Sequence, residues 1–324
     1  MSSQKNEIII FSFVSNTKFP IDLQIKCFKK YIKEKHTFFI VNDADNSKDR
    51  KAICEISMLN GVKYILVPSS IHNTNNPSEY FAETLNWILH HKTNNHKINM
   101  FVHCDIFPIC NLSIVNLLGN NSIASTFDSR RSNGYQIDYF CPVIVVIDKH
   151  LKNKKNLFFD CCNGNNVITI NHNENILKFV ADTGGKSYYY MKNNPDVKIK
   201  TIQTFETRNM INVNKFNLSN HVQNIMNDYI VRENKIINKY NINSGWLTED
   251  GFYHYLAGSQ WNVNVINKLN YLKYDLHHSD DNIRKINAAN LIKKWYGVQK
   301  KRNKNIGIMR RNILFMNLFV PALS

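Results

Sequence analysis

Several things are missing from this chain of 324 residues, and each absence removes a class of protein. There is no apolar run of about 18 residues or more, so no transmembrane helix is expected. Neither G-x-x-x-x-G-K-[ST] nor G-x-G-x-x-G occurs, which leaves P-loop and dinucleotide-fingerprint readings without support. No G-x-S-x-G elbow is present to carry a hydrolase serine. The seven cysteines are odd in number, form no C-x-x-C and lie mostly within apolar runs. That pattern fits reduced thiols in a cytoplasmic setting better than disulfides or a zinc site. Met1 to Glu7 is polar and runs straight into an apolar strand, which argues against a signal peptide.

Acidic residues are the other scarcity, and it is local. The formal net charge is +16, from 41 basic and 25 acidic residues. From Ile283 to Ser324 there are ten Lys and Arg and no acid, so the rest of the chain carries only +6. The tail makes the field and the body is mildly basic. A nucleic-acid-binding protein would rest on this charge alone and ranks last among the readings.

What is present is hydrophobic periodicity. Glu7 to Val14 reads as a strand, followed by a polar loop and a helix starting at Pro20 with Ile21, Ile25, Phe28 and Ile32 at helical spacing. His36 to Val41 is a second strand, Ala52, Ile53, Ile56 and Leu59 mark a helix, and Val62 to Val67 is a third strand. This β-α-β-α-β order predicts a parallel sheet covered by helices. The next helix is expected to be capped by Ser78 and to bury Phe81, Leu85, Ile88 and Leu89. Ile98 to Val102 is then a buried strand that ends in His103-Cys104-Asp105. Open α/β sheets place their chemistry beyond the carboxyl ends of such strands. Ile123 to Phe127 and Pro142 to Ile147 are further strands, with Arg130 to Gly134 as a loop between them. Val222, Ile225, Tyr229, Ile236 and Tyr240 follow a long helical pattern.

Residues 7 to 262 resemble the GT-A glycosyltransferases, the nucleotide-diphospho-sugar transferase superfamily. The residues that carry the likeness are Val41-Asn42-Asp43-Ala44-Asp45 against the family's V-D-D-G-S, Asn76-Pro77-Ser78 opening a helix that holds Asn86, and His103-Cys104-Asp105 against its D-x-D. The resemblance implies a Rossmann-related α/β fold with a mixed, mainly parallel sheet. It also implies transfer from a nucleoside-diphosphate donor, most readily a UDP-sugar, to a hydroxyl on a glycan, protein or lipid. Ser12, Val14, Asp43, Asn86 and Cys104 would then bind the nucleotide. His103 and Asp105 would hold Mn²⁺ or Mg²⁺, although His103 replaces the family's first carboxylate. An imidazole is accepted more readily by Mn²⁺ than by Mg²⁺.

Two later segments extend the likeness. Asp182, in Ala181-Asp182-Thr183-Gly184-Gly185, stands where inverting members carry a catalytic base. It is equally placed to cap the helix that follows. His254 to Trp261 is similar to the H-x-x-G-x-x-K-P-W segment of glycogenin-like members, with one extra residue and no Lys. By that likeness His254 is the third metal ligand, and Gly258 and Ser259 contact the diphosphate. Without it, His254 reads as a hydrogen-bonded core histidine. Asp250 is a reserve catalytic carboxylate. Whether transfer inverts or retains the anomeric centre is left open.

The expected organisation is a GT-A-like domain over 1–282 and a basic helical extension over 283–324. That extension either packs on the body or binds an acidic membrane surface or a partner protein. A non-catalytic nucleotide- or sugar-binding module of the same fold is the main alternative to an enzyme.

Overall fold

The computed structural model describes residues 7–15, 21–74, 76–93, 97–108, 111–172, 175–206, 246–248 and 250–254. The long helical pattern at 222–240, Gly258, Ser259 and the basic tail lie outside the described residues. In chain order the elements begin with β1 (Ile8–Val14), α1 (Ile21–Tyr31), β2 (His36–Asn42), α2 (Ser47–Leu59) and β3 (Lys63–Leu66). They continue with α3 (Pro77–His91), β4 (Ile98–His103), β5 (Ile106–Pro108), α4 (Ile114–Leu118), β6 (Ile123–Ser132) and β7 (Tyr135–Ile147). The last are β8 (Ile168–His172), β9 (Asn175–Phe179), α5 (Ser187–Asn193), β10 (Ile199–Thr201), β11 (Thr204–Glu206), β12 (Trp246–Thr248) and β13 (Phe252–His254).

The chain divides into two compact units. One comprises Met1–Asn16, Ile32–Ile106 and Leu112–Gln203; the other comprises Thr17–Tyr31, Phe107–Asn111 and Thr204–Ser324. The first is built on a seven-stranded sheet in the order β10-β6-β7-β4-β1-β2-β3. β1, β2, β3 and β4 run parallel, while β7 pairs antiparallel with both β4 and β6. This is the mixed, mainly parallel, helix-covered sheet expected. Every side chain of β1 is buried, as a central strand covered on both faces requires. Phe11 pairs in register with Phe39 and Phe101, and the three rings stack at 5.4 and 5.6 Å. Leu85, Ile88 and Leu89 of α3 pack on that aromatic row, which is the interior of this unit.

Two expectations change in detail. α3 starts at Pro77 and its cap is Asn76, whose Oδ1 accepts from the Ser78 N–H at 3.0 Å. Ser78 sits inside the first turn, because Pro at the first helical position leaves the capping role to the residue before it. The segment 130–134 is also mostly strand. Arg130 and Arg131 belong to β6, and only Asn133 and Gly134, at φ 48° and 79°, make the turn. Two consecutive positive φ values are what a tight hairpin turn demands. The hairpin is longer than expected because Ile137 and Tyr139 bury against Ile168, Ile170, Leu177 and Phe179 of β8 and β9.

The second unit holds α1 and a four-stranded sheet in the order β11-β12-β13-β5. α1 buries Ile21, Leu23, Ile25 and Phe28, and Phe28 approaches Phe252 of β13 with ring centroids 6.3 Å apart. Among the described residues, no helix is long and apolar enough to cross a membrane.

Candidate functional site

Parallel register brings the carboxyl ends of three strands to one edge of the sheet. Val14 pairs with Asn42, and Phe13 pairs with His103. The sheet therefore presents Asp43 and the His103-Cys104-Asp105 turn at one edge, on either side of the end of β1. Backbone hydrogen bonding continues past the strands, with the Asp43 N–H donating to the Val14 carbonyl at 2.8 Å.

The turn between β4 and β5 carries side chains of the types that ligate metals, His103, Cys104 and Asp105. The Asp105 side chain is 2% exposed and its carboxylate is bonded to His103 Nδ1, whose ring is 28% exposed. Phe81 of α3 meets the His103 ring edge-on, with centroids 5.2 Å apart. Burial opposes a charge on His103, but the Asp105 carboxylate and the neighbouring Cys104 together outweigh it and hold the imidazole well above its ordinary range. His103 and Asp105 each offer one ligand atom at the end of β4, and His254, which is buried, ends β13 in the other unit. β5 begins one residue after Asp105, and β13, which ends in His254, is its neighbour in the four-stranded sheet.

An imidazole beside a carboxylate is a donor pair that a first-row divalent ion accepts. Ligand bonds of about 2.1 Å put neighbouring donors roughly 3–4 Å apart, and a small set of protein donors leaves positions for phosphate oxygens. The buried Asp105 carboxylate also gives the site the anionic donor that a dication needs.

Asp43 is held differently from a free carboxylate. It is 6% exposed, one oxygen faces His72 Nε2 at 2.8 Å, and the other accepts from the Thr84 hydroxyl. Burial pushes its carboxyl up to about 6, with Thr84 and His72 pulling the other way. The other nitrogen of His72 faces Glu83 at 3.2 Å, and the ring lies flat against Tyr80, 3.4 Å away and 6° from parallel. A cavity of about 380 Å³ opens beside this cluster, lined by Asp45, Arg50, Ser69, His72, Asn73, Thr74 and Tyr80.

The remaining expected residues fall in varied surroundings. Ser12 and Val14 are fully buried in β1, and Cys104 is 4% exposed. Asn86 turns its Oδ1 to the Phe159 N–H at 2.8 Å, so it ties α3 to the segment after β7. Asp182 is exposed and accepts from the Thr183 N–H at 2.8 Å. It is not the cap of α5: that position falls on Lys186, which makes no side-chain cap bond. The Asp182 turn is instead pinned by Thr183 Oγ1 donating to the Ser78 carbonyl at 2.9 Å, and by the Gly184 N–H donating to Phe159 at 2.6 Å. Asp250 is half-buried in the turn between β12 and β13. Sequence reasoning passed over His72, Tyr80 and Glu83. Tyr80, Glu83 and Thr84 stand at i, i+3 and i+4 of one helix, a polar stripe on a face that could have marked them.

No protein-family profile matches the chain, and neither does any curated protein sequence. Among solved structures, core-mannan synthase A (CmsA/Ktr4) from Aspergillus fumigatus in its Mn/GDP form aligns over 46% of this chain and 61% of its own, at 12% identity and a TM-score of 0.34. The mannosyltransferase Ktr4p from S. cerevisiae aligns over 44% and 56%, at 11% identity and TM-score 0.33. Glucosyl-3-phosphoglycerate synthase from Mycobacterium tuberculosis, in complex with Mn²⁺, UDP and glucosyl-3-phosphoglycerate, aligns over 38% and 44%, at 13% identity and TM-score 0.27. The chain thus spans less than two thirds of the length of each. Likeness of this degree shows neither activity nor substrate.

Proposed function

We propose that this chain is a glycosyltransferase that moves a sugar from a nucleoside-diphosphate donor, in the first instance a UDP-sugar, to a hydroxyl acceptor. The observation that carries the reading is the His103 and Asp105 pair at the carboxyl end of β4, on the same edge of the sheet as Asp43 and the cavity beside it. A nucleoside diphosphate requires both a polar cavity for the nucleoside and a divalent-cation site for the diphosphate.

In this reading His103, Asp105 and His254 hold Mn²⁺ or Mg²⁺, with Mn²⁺ the better match to a mixed imidazole and carboxylate set. The ion would supply positive charge for the diphosphate as the bond from sugar to phosphate breaks. Phe81 fixes the plane of the His103 ring, so its nitrogen is oriented before any ligand arrives. Asp182, exposed on a pinned turn, takes the proton of the acceptor hydroxyl if the reaction inverts, and orients the acceptor if it retains. Asp250 is the reserve for that role, and Gly258 and Ser259 complete the diphosphate contacts. The acceptor is a glycan, protein or lipid hydroxyl.

A second reading, a binding module without turnover, is favoured by one feature: an imidazole stands at position 103 where the D-x-D pattern has a carboxylate. Calorimetry with UDP or GDP and Mn²⁺, run beside a donor-hydrolysis assay on a panel of nucleotide sugars, separates the two. Metal-dependent nucleotide binding with turnover of one donor supports the enzyme. The same binding with no turnover of any donor supports the module, and no nucleotide binding at all overturns both.

A further inference from the structure

The cavity beside Asp43 has an unusual wall. His72 lies immediately after the short turn Ser69–Ile71 that follows β3, in no motif, yet its side chain is only 7% exposed. Both of its ring nitrogens face carboxylate oxygens, Asp43 at 2.8 Å and Glu83 at 3.2 Å. The ring is therefore held at both ends by hydrogen bonds to carboxyl groups. Glu83 is itself held, accepting from the Asn73 N–H at 3.2 Å, and Asp43 is held by Thr84. The result is a row, Glu83, His72, Asp43, Thr84, in which no ring or carboxyl is free to turn. Tyr80 lies parallel to the ring at van der Waals distance.

Around this fixed pair the cavity offers hydrogen-bonding groups of mixed kind. Asp45 is an exposed carboxylate, Asn73, Ser69 and Thr74 are neutral, and Arg50 has its Nε committed to the Ala44 carbonyl at 2.6 Å. A flat aromatic wall, a rim carboxylate for hydroxyl or ring N–H donors, and a set of neutral polar groups suit a nucleoside rather than a phosphate. An anion there would meet Asp45 at the rim, with Asp43 and Glu83 behind His72.

We propose that His72 is the positioning residue of the nucleoside half of the donor site: locked by Asp43 and Glu83, it holds the cavity open and aligned while Asp45 reads the bound nucleoside. The carboxylate that touches the ligand is thus Asp45, and Asp43 acts through His72. This rests on the glycosyltransferase reading, which supplies the diphosphate partner at His103, Asp105 and His254. The charged and titratable groups facing His72 are Asp43 from the end of β2, Glu83 and Tyr80 from α3, and Asp45 and Arg50 from the loop and helix after β2.

The test compares His72→Gln and Asp45→Asn with the unaltered full chain, titrating Mn²⁺ with UDP, with GDP and with inorganic pyrophosphate. Gln cannot bridge two carboxylates as a rigid ring does, so the nucleotide that binds the unaltered chain should bind His72→Gln at least about tenfold more weakly. Mn²⁺–pyrophosphate should bind both variants as it binds the unaltered chain, a split that loss of folding could not produce. Asp45 is exposed, so Asp45→Asn keeps the fold and should show the same split. Equal nucleotide affinity in all three proteins overturns the proposal while leaving the glycosyltransferase reading intact. Parallel loss of nucleotide and pyrophosphate in both variants also overturns it. Absence of nucleotide binding by the unaltered chain removes both.

Discussion

Replacing Asp43 by Asn should make this protein more stable at neutral and alkaline pH. Asp43 is 6% exposed, and burial lifts its carboxyl from an ordinary 3.8 to about 6 despite the bonds to Thr84 and His72. The fold therefore disfavours the ionised carboxyl by about 3 kcal/mol once the pH is well above 6. The sign follows from proton binding: the folded chain holds this proton more tightly than the unfolded chain. Its contribution to stability is complete below about pH 4, declines as the pH rises, and is gone above about pH 6. Asn removes the ionisation but keeps an oxygen for His72, and its amide can donate to Thr84, whose hydroxyl then turns to the Tyr80 carbonyl 3.3 Å away. Since a neutral acceptor holds His72 less firmly, the net gain should be about 2 kcal/mol at pH 8, or a rise of roughly 4–8 °C in Tm. Melts or urea titrations of both proteins at pH 4.5 and pH 8 read this directly. The margin should be wide at pH 8 and small at pH 4.5. A variant less stable than the parent at pH 8, or a margin that does not change with pH, would refute the reasoning.

Gly184→Ala should fail to fold or lose about 3 kcal/mol or more, because a Cβ there would stand 1.8 Å from the Phe140 carbonyl oxygen at a φ of +99°; a cooperative melt at the parental temperature would contradict this. Asn86→Ala should cost about 1–3 kcal/mol by leaving the buried Phe159 N–H without its acceptor, while Asn86→Asp keeps an oxygen in place and should cost less. If the two variants melt together, Asn86 is not held by that bond. Phe81→Ala should weaken Mn²⁺ binding several-fold through loss of ring orientation at His103, checked by calorimetry with metal alone, and unchanged metal affinity would remove Phe81 from the site.

The sheet was legible in the chain because its strands are runs of buried β-branched and aromatic residues, as in β1 and β4, and their order follows from short helical crossovers. The antiparallel entry of β7 beside β4 was not, since an apolar run buried on both faces reads the same in either direction. His103 and Asp105 stood out in the sequence as candidates because two ligand types two residues apart terminate a buried strand. His254 entered as their proposed partner only through a family likeness, and the 148 positions between Asp105 and His254 carry no periodicity that foretells the neighbourhood of β13 and β5. His72 left no local signal: its role depends on Asp43, 29 positions earlier, and Glu83, 11 positions later, meeting in space. Ser78 was mistaken for a cap because two capping residues flank one proline, and the proline decides between them.

The most direct measurement is nucleotide binding by Asp105→Ala with and without Mn²⁺. Asp105 is a buried carboxylate bonded to His103 and the anionic donor of the proposed metal site, so its loss removes the charge the ion needs. The unaltered chain should bind UDP or GDP tightly only when Mn²⁺ is present, and Asp105→Ala should bind weakly and indifferently to the metal. Metal-dependent binding of undiminished affinity in Asp105→Ala would contradict the central claim.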